Sequence, residues 1–232
     1  SGELGKKTKI NLISAIEGEN QFEIKNLELN KKFKILNFSN IRINYLDRKK
    51  LINKFNITSK NGNYSLKGSS FNADHFIEKW ISSDDELNLF KKKFDLKIKI
   101  DELFLDKSNL LDNFEGNLIF FDNEITEGNL SGFFSKNEKL NLTIKSTHNE
   151  KITTLFLDRA EPIVKRYKFI KGFTGGKLDF YSSKKDNESI SKIKIYNFKL
   201  NELPALTKLL TLASLQGIAD LLSGEGISFD EF

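Results

Sequence analysis

The sequence predicts a mainly β fold with a few short helices, an α+β arrangement dominated by a largely antiparallel sheet. Three observations carry this. Apolar residues recur with period two through most of the chain, as in strands with one face covered and one face wet. The segments between them are mostly short and polar, so successive strands turn back and pair antiparallel. Helical spacing is confined to three places: 72–81, 158–170 and 203–222.

Taken in order, "KFNIT" places Phe55 and Ile57 on one side of a strand. "NADHFIEKWI" then changes period. Ala73, Phe76, Ile77, Trp80 and Ile81 follow i, i+3, i+4, i+7, i+8 spacing, with Asn72 as N-cap and Asp74 in the first turn. "SSDDELNLFKKK" reads as a charged linker and divides the chain into an N-terminal β segment, 1–83, and a longer β segment, 94–232, with 84–93 between them. Strand alternation resumes in "FDLKIKID", where Leu96, Ile98 and Ile100 share a face. "GNLIFFDNEITEGNLSGFF" is two strands around an Asp122-Asn123 turn. In "KLNLTIKS", Leu140, Leu142 and Ile144 point one way, and Lys139, Asn141, Thr143 and Lys145 the other. "DRAEPIVKRYKFI" is a second helix, with Asp158 as cap and Pro162 early. "SKIKIYNF" is a strand presenting Ile193 and Ile195. The total is roughly ten or eleven strands.

The third helical stretch, "NELPALTKLLTLASLQGIADLLSGEGISF", is the most apolar part of the chain. Leu203, Leu206, Leu209, Leu210 and Ala213 share one face; Leu215, Ile218, Ala219 and Leu222 share another, about half a turn away. Two short amphipathic helices broken near Ser214–Gly217 bury both stripes, whereas one straight helix does not. Pro204, Lys208, Gln216 and Asp220 interrupt it, so it does not read as a membrane span. It reads as a lid or plug, with Leu203, Leu206, Leu210, Leu215, Ile218 and Leu222 as its packing residues.

Composition narrows the function. The chain has 232 residues and a formal charge of +5, with 37 basic and 32 acidic residues interleaved. Short lysine runs such as "LFKKKF" read as solvated strand ends, not a nucleic-acid footprint. Phe is abundant at 21, but mostly at inward strand positions, where it offers no stacking platform. There is no Cys, hence no disulfide, thiolate metal site or thiol nucleophile. The absence of Met and the opening Ser1-Gly2 point to a processed chain or a fragment.

No catalytic constellation emerges. His75 and His148 lie far apart and match no metal-site spacing. Asp84, Asp85 and Glu86 read as a solvated cluster in the linker. "GFTGG" at 172–176 lacks the GxGxxG spacing and reads as the turn that opens a strand. A glycan hydrolase using Asp101 and Glu102 lacks support, because no opposing carboxylate can be placed from sequence. The chain is therefore expected to be non-enzymatic, without metal or cofactor. The surplus of one-sided strands over helices leaves apolar surface that must either close into a sandwich or barrel, or hold an apolar ligand.

The C-terminal block carries a resemblance. "GGKLDFYS", "KIKIYNFKLNELPALTKLL" and "LASLQGIADLLSGEGISF" resemble, in order, the strand opening, the strand with "P-l-a-LL", and the "S-L-G-l-L-G-G-F" signature of the AsmA-like family of Gram-negative envelope proteins, in the branch of YhdP and TamB. "SLKGSSFNADHFIEKWI" resembles the strand and short helix upstream of that region. The match is close over Phe173–Phe229 and at pattern level elsewhere; Asp179 and Tyr181 stand where a glycine is often seen.

The resemblance implies an elongated, curved, repeating β-groove with an apolar interior. It implies a periplasmic location, an inner-membrane anchor outside this sequence, and phospholipid acyl chains as the partner, carried between inner and outer membrane. Separately, the chain is expected to be a monomer. The residues expected to line such a groove are Leu96, Ile98, Ile100, Leu140, Leu142, Ile144, Ile193 and Ile195. The competing expectation is a non-catalytic structural or interaction module of the envelope with a closed β core.

Overall fold

The computed structural model of the chain describes residues 7–75, 77, 93–122, 124–167, 171–185, 188–201 and 227–231. The fold is mainly β and mostly antiparallel, with very few helices and a strand order that does not close. Two compact units divide it, Ser1–Phe133 and Phe134–Phe232.

The first unit holds β1 (Lys7–Glu17), β2 (Asn20–Asn30), β3 (Ile35–Asn37), β4 (Asn40–Leu46), β5 (Ile52–Lys60), β6 (Asn63–Asn72), β7 (Phe94–Phe104), β8 (Leu110–Phe121) and most of β9 (Glu124–Ser135). Their order is β1-β2-β4-β5-β6-β7-β8-β9, with β3 paired beside β2. β6 and β7 run parallel, Tyr64 opposite Leu96 and Leu66 opposite Ile98. A parallel pair needs a long crossover, which residues 73–93 supply. Of the segment expected to separate two domains, 84–93, all but Lys93 lies outside the described residues.

The second unit holds β10 (Glu138–Ser146), β11 (Lys151–Leu157), the helix α1 (Glu161–Tyr167), β12 (Phe173–Lys185), β13 (Glu188–Leu200) and β14 (Ile227–Glu231), strands adjacent in chain order. The fourteen strands described exceed the expected ten or eleven because the first ones lack a clean alternation. β1 carries Ile13 and Ala15 at one parity and Leu12 and Ile16 at the other, so period two is blurred.

Where alternation breaks, the register breaks with it. The apolar positions change parity from Gly68 to Phe71 in β6, from Ile100 to Leu103 in β7, and from Phe114 to Leu111 in β8. The β5–β6 register shifts at Lys54/Phe55, the β8–β9 register shifts between Asp112 and Glu115, and Asn113 takes a positive φ of 49°. An inserted residue flips every later side chain. Because neighbouring strands flip together, Phe71, Leu103 and Leu111 remain in one register row.

The helix starts differently from the expectation. It begins at Glu161, with Ala160 accepting from Val164 at 3.0 Å, and Pro162 sits in its first turn, where a missing N–H costs nothing. Asp158 is not its cap. Its carboxylate accepts instead from the backbone N–H of Lys139 (3.1 Å) and the Lys177 ammonium (2.8 Å), tying β10 to β12. At the earlier helical turn Asn72 does cap, accepting from the Asp74 N–H at 3.1 Å.

Candidate functional site

In the first unit, register assembles what single strands only suggest. Ile13 stands opposite Ile24, Ile24 opposite Ile41, Ile41 opposite Ile57, and Ile57 opposite Leu66. Leu66 then faces Ile98, Ile98 faces Gly116, and Gly116 faces Leu130. The result is one apolar row across eight neighbouring strands. A second row runs Phe22, Ile43, Phe55, Gly68, Ile100, Phe114. Tyr64, Leu96 and Leu118 form a third, beside the stacked rings of Phe94 and Phe120.

Burial is graded over this face. Ile100 is fully buried and Leu111 nearly so, yet Ile41, Ile57, Leu66, Leu96 and Ile98 are only half-buried. The described residues of this unit contribute strands and helical positions at 74, 75 and 77.

Glycines set the closeness of these strands. A Cβ on Gly116, whose φ is +156°, would lie 1.9 Å from the Asn129 carbonyl oxygen. One on Gly68 would lie 2.3 Å from the Lys54 carbonyl oxygen. Both sit inside the apolar rows, where backbones approach too closely for any side chain.

The second unit shows the same construction by itself. Leu140, Leu157, Leu178 and Ile195 form a row that is buried throughout. The helix α1 packs on β12, with Ala160 and Val164 fully buried and the Ala160 N–H donating to the Gly176 carbonyl at 2.7 Å. One step away, Leu142, Leu155, Phe180 and Ile193 form a more open row, in which Ile193 is 47% exposed. The next row turns polar after Ile144: Thr153, Ser182, Ser191.

The eight expected lining residues thus fall into two sets. Leu96, Ile98 and Ile100 share a face in the first unit; Leu140 with Ile195, and Leu142 with Ile193, share rows in the second, with Ile144 at the head of a third. Buried Ile100, Leu140, Ile144 and Ile195 are core as well as face; Leu96, Ile98, Leu142 and Ile193 are accessible. Sequence reasoning passed over Ile13, Ile24, Ile41, Leu66 and Leu130. The alternation in "NIRINYL" was a usable signal for Ile41 and Ile43. Ile24 and Leu27 were masked by Asn26, which takes a positive φ of 51° and breaks their phase. The expected lid residues, Leu203, Leu206, Leu210, Leu215, Ile218 and Leu222, lie outside the described residues.

Among the described residues the chemistry-bearing groups are not gathered. His75 and His148 are exposed and on different units. Among the described residues no three His, Cys, Asp or Glu side chains come together as metal ligands. Asp112 lies opposite Glu102 across β7 and β8, a carboxylate neighbour sequence did not locate, but both are solvent-exposed.

The perturbed titrations sit at joints. At the β4–β5 turn, burial alone would raise the Asp47 carboxyl. Hydrogen bonds from the Leu51 and Lys49 N–H groups and from the Asn72 and Asn53 amides outweigh it and hold the group below its usual range. Asp158 is held low chiefly by the Lys177 ammonium, which is raised in turn. Burial raises the Tyr196 hydroxyl, helped by its 3.1 Å bond to Asp179.

In comparisons with known proteins, no family model, no curated protein and no solved structure matches the chain.

Proposed function

We propose that this chain is a lipid-carrying segment of an envelope protein, whose apolar sheet faces hold phospholipid acyl chains on their way between two membranes. The observation that carries the reading is the apolar row from Ile13 to Leu130, buried at Ile24 and Leu130 and half-buried at Ile13, Ile41, Ile57, Leu66 and Ile98. Neighbouring strands lie about 4.8 Å apart, so seven steps span roughly 34 Å. An acyl chain reaches across half of a hydrocarbon core of about 30 Å, so the row is long enough for a chain to lie along it.

The row is nearly all aliphatic. Each buried CH₂ of a chain gains about 0.8 kcal/mol wherever it sits, so binding is strong in sum and nearly uniform in position. Uniformity allows sliding, because no position traps the chain. Polar contacts at fixed points would bind more specifically and hold it still. The resemblance of the 173–229 block to AsmA-like proteins supports the same reading and adds the periplasmic setting and a membrane anchor elsewhere in the protein.

The closed-core alternative draws on one observation, the fully buried row Leu140–Leu157–Leu178–Ile195. A dry core there suits a structural module. The two readings part at the open row. The test is native mass spectrometry with lipid extraction after exposure to phospholipid vesicles, on the unaltered chain and on Leu142→Asp. Bound phospholipid that is lost in the variant is expected. A folded chain that takes up no lipid overturns the proposal and leaves the structural module.

A further inference from the structure

The first unit ends in an unprotected strand. β1 stands last in the strand order, and among the described residues it pairs with β2 alone. In an antiparallel ladder every second residue turns its N–H and C=O away from its partner, so the outer side of β1 presents a row of backbone donors and acceptors. Natural edges are blunted by short length, proline, bulges or charges along the strand. β1 has eleven residues, one constant register against β2, no Pro and no Gly, and residues 10–16 carry no charge. Within that stretch Leu12 and Ile16 are 54% and 70% exposed.

Charge selects the partner and its direction. At one end of β1, Lys7 and Lys9 share a single acid, Glu28, at 3.8 and 3.2 Å, which leaves one cation in surplus. At the other end Glu17, and Glu19 in the turn beyond it, take part in no ion pair among the described residues. A second copy of β1 laid antiparallel, with Ile13 on the two-fold axis, sets Lys9 opposite Glu17 and Lys7 opposite Glu19, each pair occurring twice. The same register sets Ile10 opposite Ile16 and Ile13 opposite its own copy. Sliding the second strand by two residues in either direction loses one of the two charge pairs. A parallel second copy in matched register places Lys beside Lys and Glu beside Glu, which is unfavourable.

We infer that β1 is a self-association edge, through which two copies of this chain join antiparallel into one continuous sheet about a two-fold axis at Ile13. The contact is isologous, so it closes at two copies. Main-chain hydrogen bonds supply the attraction, and the Lys–Glu pairs with the Ile10–Ile16 contacts fix the register. A single strand pair is a small interface, so the dimer is expected to be reversible, against the monomer expected from sequence. Ile13 also heads the long apolar row, which the pairing carries on into the second copy. The inference rests on the edge alone and not on what that row holds.

The test is sedimentation equilibrium of the full chain from roughly 1 to 300 µM, where a reversible monomer–dimer equilibrium is expected. Leu12→Lys/Ile16→Lys sets four lysines along the seam and should weaken dimerisation by about tenfold or more. Both side chains are exposed, so the melting temperature of the monomer should hold. Glu17→Lys should weaken dimerisation by roughly threefold to tenfold, because two Lys–Glu pairs become like-charged. The chain has no Cys, so single cysteines report the register. Ile13→Cys should form a disulfide with its own copy. Ile16→Cys should not, since its two copies stand six positions apart, roughly 20 Å. A chain that stays monomeric over this range, oligomers that grow beyond two, a dimer unaffected by Leu12→Lys/Ile16→Lys, or cross-linking of Ile16→Cys as fast as that of Ile13→Cys would overturn the inference.

Discussion

Replacing Ile98 with Asp separates an open apolar face from a closed core. Ile98 is half-buried, between Leu66 on β6 and Gly116 on β8. Full burial of an Ile side chain contributes about 1.5–3 kcal/mol, so a half-buried one contributes roughly half of that. On an open face the new carboxylate keeps much of its water, and the total loss of stability should be about 1–2 kcal/mol. With an acyl chain laid over the row, the same carboxylate loses that water, at a cost of several kcal/mol. Each 1.4 kcal/mol is tenfold in affinity, so lipid binding should fall by two or more orders of magnitude. Ile100→Ala is the control. That side chain is 0% exposed, and truncating such a residue costs about 2–5 kcal/mol. It should lower stability more than Ile98→Asp does while leaving lipid uptake by the folded fraction nearly intact. Urea unfolding followed by amide hydrogen exchange within the first unit measures stability; native mass spectrometry measures lipid. If Ile98→Asp cost about 3–5 kcal/mol, the size expected for a charge in a closed core, the open-face reasoning would fail.

Other expectations concern packing and pH. Gly116→Ala should destabilise the β8–β9 pair by about 3 kcal/mol or more, because the new Cβ meets a backbone carbonyl that cannot move aside cheaply. Gly62→Ala, with φ +79° and nothing within 4 Å, should cost only about 1 kcal/mol, and equal losses on thermal melting would refute the close-approach account. Leu157→Ala, fully buried in the second unit, should cost about 2–5 kcal/mol by denaturant titration. Asp47 and Asp158 have folded-state pKa values below their unfolded ones, so their contribution is present above the unfolded carboxylate value, about 3.9, and is lost as pH falls through the folded value. Asp158→Asn should therefore flatten the acid limb of stability against pH; an unchanged limb would show that the Lys177 pairing is not felt. The raised Lys177 works in the other direction: its contribution is lost as pH climbs through its folded value, above about 10.4.

Read alone, the sequence determined what each strand does with its own two faces. The alternation of Leu96, Ile98 and Ile100 with Lys97 and Lys99 reports burial of one face, because successive side chains must point oppositely whatever the neighbours are. The Asp122-Asn123 turn was legible for a similarly local reason, and Asp122 does take a positive φ of 48° between Phe121 and its partner Glu124. Asn72 could be read as a cap from the residues just after it. Tertiary structure decided everything that depends on which strand sits beside which. It placed β7 parallel to β6 across a long crossover, and so put Ile98 beside Leu66 and Lys99 beside Lys67. It turned single alternations into rows, moved Asp158 from helix cap to strand tie, and required Gly116 to have no side chain. Period two is a property of one strand and survives in its sequence. Register is a property of pairs far apart in the chain, chosen by the sum of many small cross-strand contacts, and no single segment records it.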